Sequence, residues 1–305
     1  MSAVPSEITS TEVLRNEPLR KHTSWRVGGP ADLFYAPTST AELKRILAEL
    51  PAATPVYWLG LGSNLLVRDG GIRGAVIATG SLPRELERLD ERRVQASAGL
   101  ACMLLAKRCV RWQLGPAAFF AGIPGTVGGA LAMNAGAFGG ETWTHVESVA
   151  TIDRGGEIRE RTRAEYEIGY RSVRGPAGEW FLGAKFKLEH DASSSMEAIK
   201  TLLARRNAAQ PLGVPSCGSV FRNPPGDFAG RLIEQAGQKG RRLGGAMVSD
   251  KHANFILNAG KASAADIETL IGEVRAAVER TSGVLLEPEV RIIGEPLDPA
   301  AKGGR

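Results

Sequence analysis

The segment FFAGIPGTVGGALAMNAGAFGGE, Phe119 to Glu141, constrains this chain more than any other. It places seven glycines, Gly122, Gly125, Gly128, Gly129, Gly136, Gly139 and Gly140, within 23 residues. Each glycine loses more backbone freedom on folding than another residue would. A chain accepts that cost where it must turn tightly, or where backbone N–H groups must converge on an anion. A second site repeats the theme: in VYWLGLGSNLLVRDGG the apolar run Val56–Leu59 ends abruptly in Gly60-Leu61-Gly62-Ser63-Asn64. Tight turns alone would account for either loop. Two such loops together also suit a ligand with a pyrophosphate and a long body, that is, a dinucleotide. The third glycine of GxGxxG is missing after Gly60-Leu61-Gly62, and no Gly-Lys-Ser/Thr follows a glycine loop, so neither a Rossmann fingerprint nor a P-loop is present.

With 305 residues the chain is long enough for two domains, and 43% apolar residues supply a sizeable core. A net charge of +5 and a pI near 9.2 suit ligands carrying phosphate or carboxylate. The basic residues are scattered, however, and a mild excess of arginine also serves solubility. Cys102, Cys109 and Cys217 are odd in number and form no CxxC pair. This argues against a disulfide framework and against a metal site. The start, MSAVPSEITSTEV, lacks the basic head and apolar core of a signal peptide. No apolar run approaches the roughly 20 residues of a membrane span. The expectation is a soluble cytoplasmic protein, most simply a monomer, with no nucleic-acid or membrane partner.

The pattern predicts α+β architecture throughout. Residues 1–15 and 297–305 read as polar tails. A strand at DLFYAP leads into a helix over AELKRILAEL, capped by Thr38, Ser39 or Thr40, with Leu43, Ile46, Leu47 and Leu50 on one face. Strands follow at Val56–Leu59, GAVIAT and RVQASAG, then a helix near LACMLLAKRCVRW. VESVATID, EIRERTRAEY and WFLGAKFKLEH read as a meander. SSSMEAIKTLLARRNAAQP is a connecting helix ending before Pro211. Beyond it come a short helix at FAGRLIEQAG, a strand at ANFILNAG, a long amphipathic helix at SAADIETLIGEVRAAVERTSG closed by Gly283, and a final strand in VLLEPEVRIIG. A boundary between two parts is placed near residues 195–210.

Six segments, in order, carry a family likeness: HTSWRVGGPADLFYAP, LGLGSNLLVRDGG, GIPGTVGGALAMNAGAFGGE, PSCGSVFRNPPG, LIEQAGQKGRRLGGAMVSDKHANFILNAG and LEPEVRIIGE. Over residues 15–295 the chain resembles the UDP-N-acetylenolpyruvoylglucosamine reductase (MurB) family, and its short links resemble the type II branch. The resemblance implies an FAD-binding domain of the p-cresol methylhydroxylase/vanillyl-alcohol oxidase type, in two subdomains over residues 16–200. A small α+β substrate domain over 201–296 would follow. It implies reduction of UDP-N-acetylglucosamine enolpyruvate to UDP-N-acetylmuramate, a peptidoglycan precursor, by NADPH through FAD. It assigns Gly60, Leu61, Gly62, Ser63 and Asn64 to the FAD pyrophosphate. Gly122, Ile123, Pro124, Gly125, Gly128, Gly129, Asn134 and Gly136 are likewise placed against the cofactor.

The resemblance also selects the catalytic groups. Hydride from flavin N5 adds at the terminal carbon of the enolpyruvyl double bond, and charge builds on the carboxylate. Arg171, in GYRSV, matches the arginine that holds that charge. By itself it could as well be a surface residue paired with Glu165 or Glu167. Glu289, in EPEVRIIG, matches the family glutamate. Facing a dianion it helps only if protonated or sharing a proton, and burial beside VRII would raise its pKa accordingly. Taken alone it could pair with Arg291. Ser219, in CGSVFRNP, matches the proton donor to the second carbon. Cys217 invites a nucleophile reading, which the lack of a partnered histidine opposes. Asn223 is expected at the substrate. Arg205 and Arg242 are the choices for the UDP pyrophosphate from a set that also holds Arg206, Arg222, Lys239 and Arg241. His252 reads as structural. Phe138 stands where the family often has tyrosine, so a hydroxyl contact is lost there. Two competing readings remain: an oxygen-using flavin oxidase on the same fold, and a nucleotide-binding module without turnover.

Overall fold

A computed structural model describes residues 12–211 and 213–298. The first sheet has four strands in the order Leu14–Pro18, Pro30–Tyr35, Ile72–Ala78, Val56–Leu59. Its first pair is antiparallel and the other two are parallel. The strand Leu14–Pro18 therefore takes in two residues of the stretch expected to be tail. Helix α1 (Thr40–Glu49) packs on this sheet through Leu43, Ile46 and Leu47. Ser39 is its cap, accepting from the Glu42 N–H at 3.1 Å. That satisfies one of the donors a helix start leaves open.

The second sheet is antiparallel, ordered Ile158–Thr162, Val146–Asp153, Glu179–Lys187, Arg93–Ser97, Leu86–Arg88. The expected meander is thus broken: the strand from Glu179 pairs on the far side of Val146–Asp153. A small hairpin, Glu167–Gly169 with Ser172–Arg174, fills the gap between them. Helices α2 (Cys102–Arg111) and α3 (Val127–Met133) cover the sheet. Cys102, Cys109, Phe120, Trp143 and Phe186 form the centre of that core, which Ile199 of helix α4 (Met196–Ala209) joins.

The third part has a short antiparallel sheet, Arg242–Leu243, Ala246–Val248, Ile256–Asn258, packed against helices α5 (Ala229–Gln235) and α6 (Ala264–Ser282). Helix α6 ends at Gly283 in the left-handed conformation, as the glycine there predicts. Among the ties that bind this part to the rest, two stand out. Trp25 is buried in the third core and donates from Nε1 to the Ile256 carbonyl at 2.7 Å. The last strand, Arg291–Ile293, runs parallel to Leu65–Val67, directly after the first glycine loop. No helix among the described residues is long and apolar enough to cross a membrane.

Candidate active site

Between the three parts lies a cleft of about 540 Å³, within the range typical of small-molecule sites. Its walls include both glycine loops: all of Gly60 to Asn64, and Gly122 to Gly125 with Gly129 and Gly136. The glycines serve two purposes. Gly62 has φ +61°, and a Cβ there would lie 2.2 Å from the His22 carbonyl oxygen, so the fold itself demands glycine. A Cβ at Gly128 would lie 2.9 Å from the Ala98 Cβ, and Gly128 is not on the cleft wall. At Gly125 and Gly129, by contrast, a Cβ would find nothing nearer than 3.5 Å and 3.8 Å. Protein packing does not require glycine at these two positions, and their bare backbone is open to the cleft. The N–H groups of Leu61, Gly62 and Ser63 donate to nothing among the described residues. A run of unspent donors at a turn is the arrangement that takes phosphate oxygens, and so the loops fit FAD.

Arg171 and Glu289 meet in the same cleft across 118 residues of sequence. Arg171 Nε donates to Glu289 Oε1 at 2.9 Å. Both side chains are largely buried, at 16% and 13% exposure. The alternative partners are occupied elsewhere: Glu165 pairs with Arg161, and Glu167 with Arg174. Arg171 sits at the second position of the two-residue hairpin turn Tyr170-Arg171, in a left-handed conformation with φ 53°. Its Nη2 donates to the Gly136 carbonyl at 3.0 Å and its Nη1 to that of Asn134 at 3.4 Å. A guanidinium has five N–H groups, so donors remain for a carboxylate. Burial pushes the Glu289 carboxyl above its ordinary pKa, and the opposing charge of Arg171 does not cancel the effect. Glu289 is held in place by its own backbone, with its N–H on the Val220 carbonyl at 2.7 Å and its carbonyl accepting from Asn64 Nδ2 at 3.1 Å.

Ser219 lines the cleft one residue after Gly218, whose φ of +83° turns the chain there. Cys217 is also on the wall but buried, and loss of hydration drives its thiol pKa well up, away from a nucleophilic thiolate. Asn223 and Arg205 line the cleft as well; the Asn223 Oδ1 is spent on the Ala229 N–H at the start of α5. Arg206 is half-buried, donating to the Gly122 carbonyl at 3.1 Å and to Gln210 at 2.7 Å, and so fastens α4 to the second loop.

Three of the expected site residues are not on the wall. Gly128 lies against Ala98, as described. Asn134 is buried at 1% exposure and its amide is fully engaged within the protein. Arg242 is exposed in the third sheet, away from the cleft. Of the other basic candidates, Lys239 pairs with Glu234 and Arg241 with Glu273. His252 lies against the Phe255 ring outside the cleft, and burial lowers its pKa. Phe138 lines the cleft with φ 53° and its ring against Gly122. Wall residues that sequence reasoning missed include Tyr170, Asn254, Thr126 and Arg291. Tyr170 was within reach, as the neighbour of Arg171 in GYRSV; Asn254 was not, since its amide serves the Phe221 backbone, a tertiary contact without a local signal.

Two sheets, two glycine loops and a cleft shared with a third unit define an FAD-dependent oxidoreductase, and residues 31–162 match the model of an FAD binding domain. Residues 210–293 match the C-terminal domain of UDP-N-acetylenolpyruvoylglucosamine reductase. The chain belongs to that reductase family. It is 57% identical over 295 residues to the UDP-N-acetylenolpyruvoylglucosamine reductase of Methylococcus capsulatus, covering 96% of each chain. It is 55% identical over 297 residues to that of Alkalilimnicola ehrlichii, covering 97% of this chain and 99% of the relative. The crystal structure of the Thermus caldophilus enzyme (MurB) is similar at TM-score 0.78 and 35% identity, over 92% of this chain and 99% of that one.

Proposed function

We propose that the chain reduces UDP-N-acetylglucosamine enolpyruvate to UDP-N-acetylmuramate with NADPH, acting as a cytoplasmic monomer in peptidoglycan precursor synthesis. Residues 16–200 hold the cofactor and 201–296 receive the sugar nucleotide. The observation that carries this reading is the buried Arg171–Glu289 pair, set in the same cleft as Ser219 and the glycine loops.

Gly60–Asn64 and Gly122–Gly125 with Gly129 would hold FAD, which when bound would pass to the substrate the hydride taken from NADPH. Arg171 binds the substrate carboxylate and stabilises the negative charge that develops there when the terminal carbon is reduced. Glu289 stands beside Arg171 with its pKa moved up by burial, the direction that favours a protonated carboxyl facing that dianion. Ser219 gives its hydroxyl proton to the carbon bearing the ether oxygen, completing the lactyl ether. A hydroxyl is a weak acid, but an enediolate carbon is a strong base and takes the proton. Arg205, exposed at the rim, faces the UDP pyrophosphate, and Asn223 contacts the substrate with the donor that α5 leaves over.

Ser219→Ala tests the reading. Anaerobic stopped-flow absorbance should show flavin bleaching by NADPH within about 3-fold of wild type. Colour recovery with the enolpyruvyl sugar should slow by about 10³-fold or more. Equal loss in both half-reactions would remove Ser219 from the proton-donor role, and recovery only on admitting air would favour the oxidase.

A further inference from the structure

We propose that Asn134 is the positioning residue of Arg171, gripping at once the guanidinium and the turn that carries it. The inference rests on the role given to Arg171 above. The sequence pattern drew attention to Asn134, yet the cleft does not use it. Its amide is saturated by the protein: Nδ2 donates to the Gly169 carbonyl at 3.1 Å and to Glu141 Oε2 at 2.9 Å, and Oδ1 accepts from the Trp143 N–H at 3.0 Å. Gly169 is the last residue of the strand before the Tyr170-Arg171 turn. The Asn134 side chain therefore pins the foot of that turn while its backbone carbonyl accepts the longer bond from Arg171 Nη1.

Backbone conformation makes the grip necessary. Arg171 has φ 53° and Asn134, at the end of α3, has φ 47°. A left-handed residue with a side chain is sterically disfavoured, and persists where its surroundings hold it. Asparagine is among the few residues that tolerate that conformation while offering both donors and an acceptor on a short stem. Aspartate has no donor for Gly169 or Glu141. Glycine supplies the conformation and no grip. On the opposite side, Arg222 Nη2 donates to the Arg171 carbonyl at 3.1 Å. The turn is thus clamped from both large parts of the molecule. A catalytic guanidinium must stay within about 0.5 Å of its productive place, and no regular strand or helix carries this one.

The test uses the FAD-loaded protein and its two half-reactions, followed anaerobically by flavin absorbance. Asn134→Asp should leave bleaching by NADPH within about 3-fold of wild type and slow recovery with the enolpyruvyl sugar by about 30-fold or more. Added to Arg171→Ala, the same change should cost less than about 3-fold further, because the two act through one group. Should Asn134→Asp lose its flavin or fail to fold, Asn134→Gly decides, since it keeps the backbone conformation and deletes only the grip; the same split is expected. Equal slowing of both half-reactions, no slowing of either, or losses that multiply with Arg171→Ala would overturn the proposal. Wild-type protein that bleaches with NADPH but does not recover with the enolpyruvyl sugar would instead overturn the reaction reading.

Discussion

Two arginine–glutamate pairs in this molecule use the same side chains for opposite ends. On the second sheet, Glu179 is 7% exposed and receives Arg161 through both Nε and Nη2, the Thr151 hydroxyl at 2.6 Å, and Arg159 at 3.7 Å. Its oxygens are engaged on both sides, and the bonds from Arg161, first among several, hold its carboxyl below the ordinary value. In the cleft, Glu289 is buried almost as well but has one side-chain partner, the single bond from Arg171 Nε. There desolvation wins and the carboxyl moves up. The two carboxyls thus move in opposite directions: deep in the cleft, loss of hydration outweighs the single bond at Glu289, and nearer the protein's edge the bonds from Arg161 outweigh it at Glu179. A saturated carboxylate is a structural tie. One left half-satisfied beside a spare guanidinium can still take part in chemistry.

The sharpest way to break this contrast is at Glu289. Glu289→Ala should lower kcat by about 10³-fold. Glu289→Gln, which keeps a neutral donor of the same shape, should recover at least about tenfold of that and abolish any fall in rate as pH rises through the folded Glu289 value. If Gln is as poor as Ala, a protonated Glu289 is not what the reaction needs. The next effect is on stability. Glu179→Gln should destabilise the fold by about 2 kcal/mol, through the charged bonds it removes, seen as a Tm lower by several degrees, with kcat within about 2-fold. A large loss of kcat with unchanged Tm would dissolve the distinction between the pairs.

The smallest effect is in the pH dependence of Tm, and its sign differs between the pairs. Glu179, with a depressed pKa, contributes stability that is present above the unfolded carboxylate value and is lost as pH falls through the folded one. Glu289, with a raised pKa, contributes stability that is present below the unfolded value and is lost as pH rises through the folded one. Wild type minus Glu179→Gln should therefore shrink on acidification below about pH 4. Wild type minus Glu289→Gln should shrink as pH is raised from that range towards neutrality. Parallel curves for the two differences would show that the pairs are alike.

The contrast also marks what a sequence can reveal. The rise at Glu289 was legible from its place beside VRII, because burial next to an apolar strand is a local property. Its partner was not, because Arg171 reaches it only through tertiary folding and its hairpin strands, Glu167–Gly169 and Ser172–Arg174, are too short for a period. Helices with long apolar faces and clear caps, such as α1 and α6, came out close to their observed bounds. The strand order of the second sheet did not, since pairing across the sheet leaves no local signal in the strands. Glycine count picked out both loops that wall the cleft but did not separate Gly62 and Gly128, where a side chain would clash with the fold, from Gly125 and Gly129, where it would fit. That division depends on which atoms stand opposite each Cα.

The parallel pairing of Arg291–Ile293 with Leu65–Val67 has a consequence for synthesis. A chain emerging from the ribosome makes both glycine loops and Arg171 long before it makes Glu289. Until the C-terminal strand arrives and spans more than two hundred intervening residues, Arg171 lacks its carboxylate partner and the Leu65–Val67 strand has none. Long-range closure of this kind comes late and slowly. Order of manufacture thus leaves the cleft open on one side until the end: its glycine loops exist well before the wall that carries Glu289.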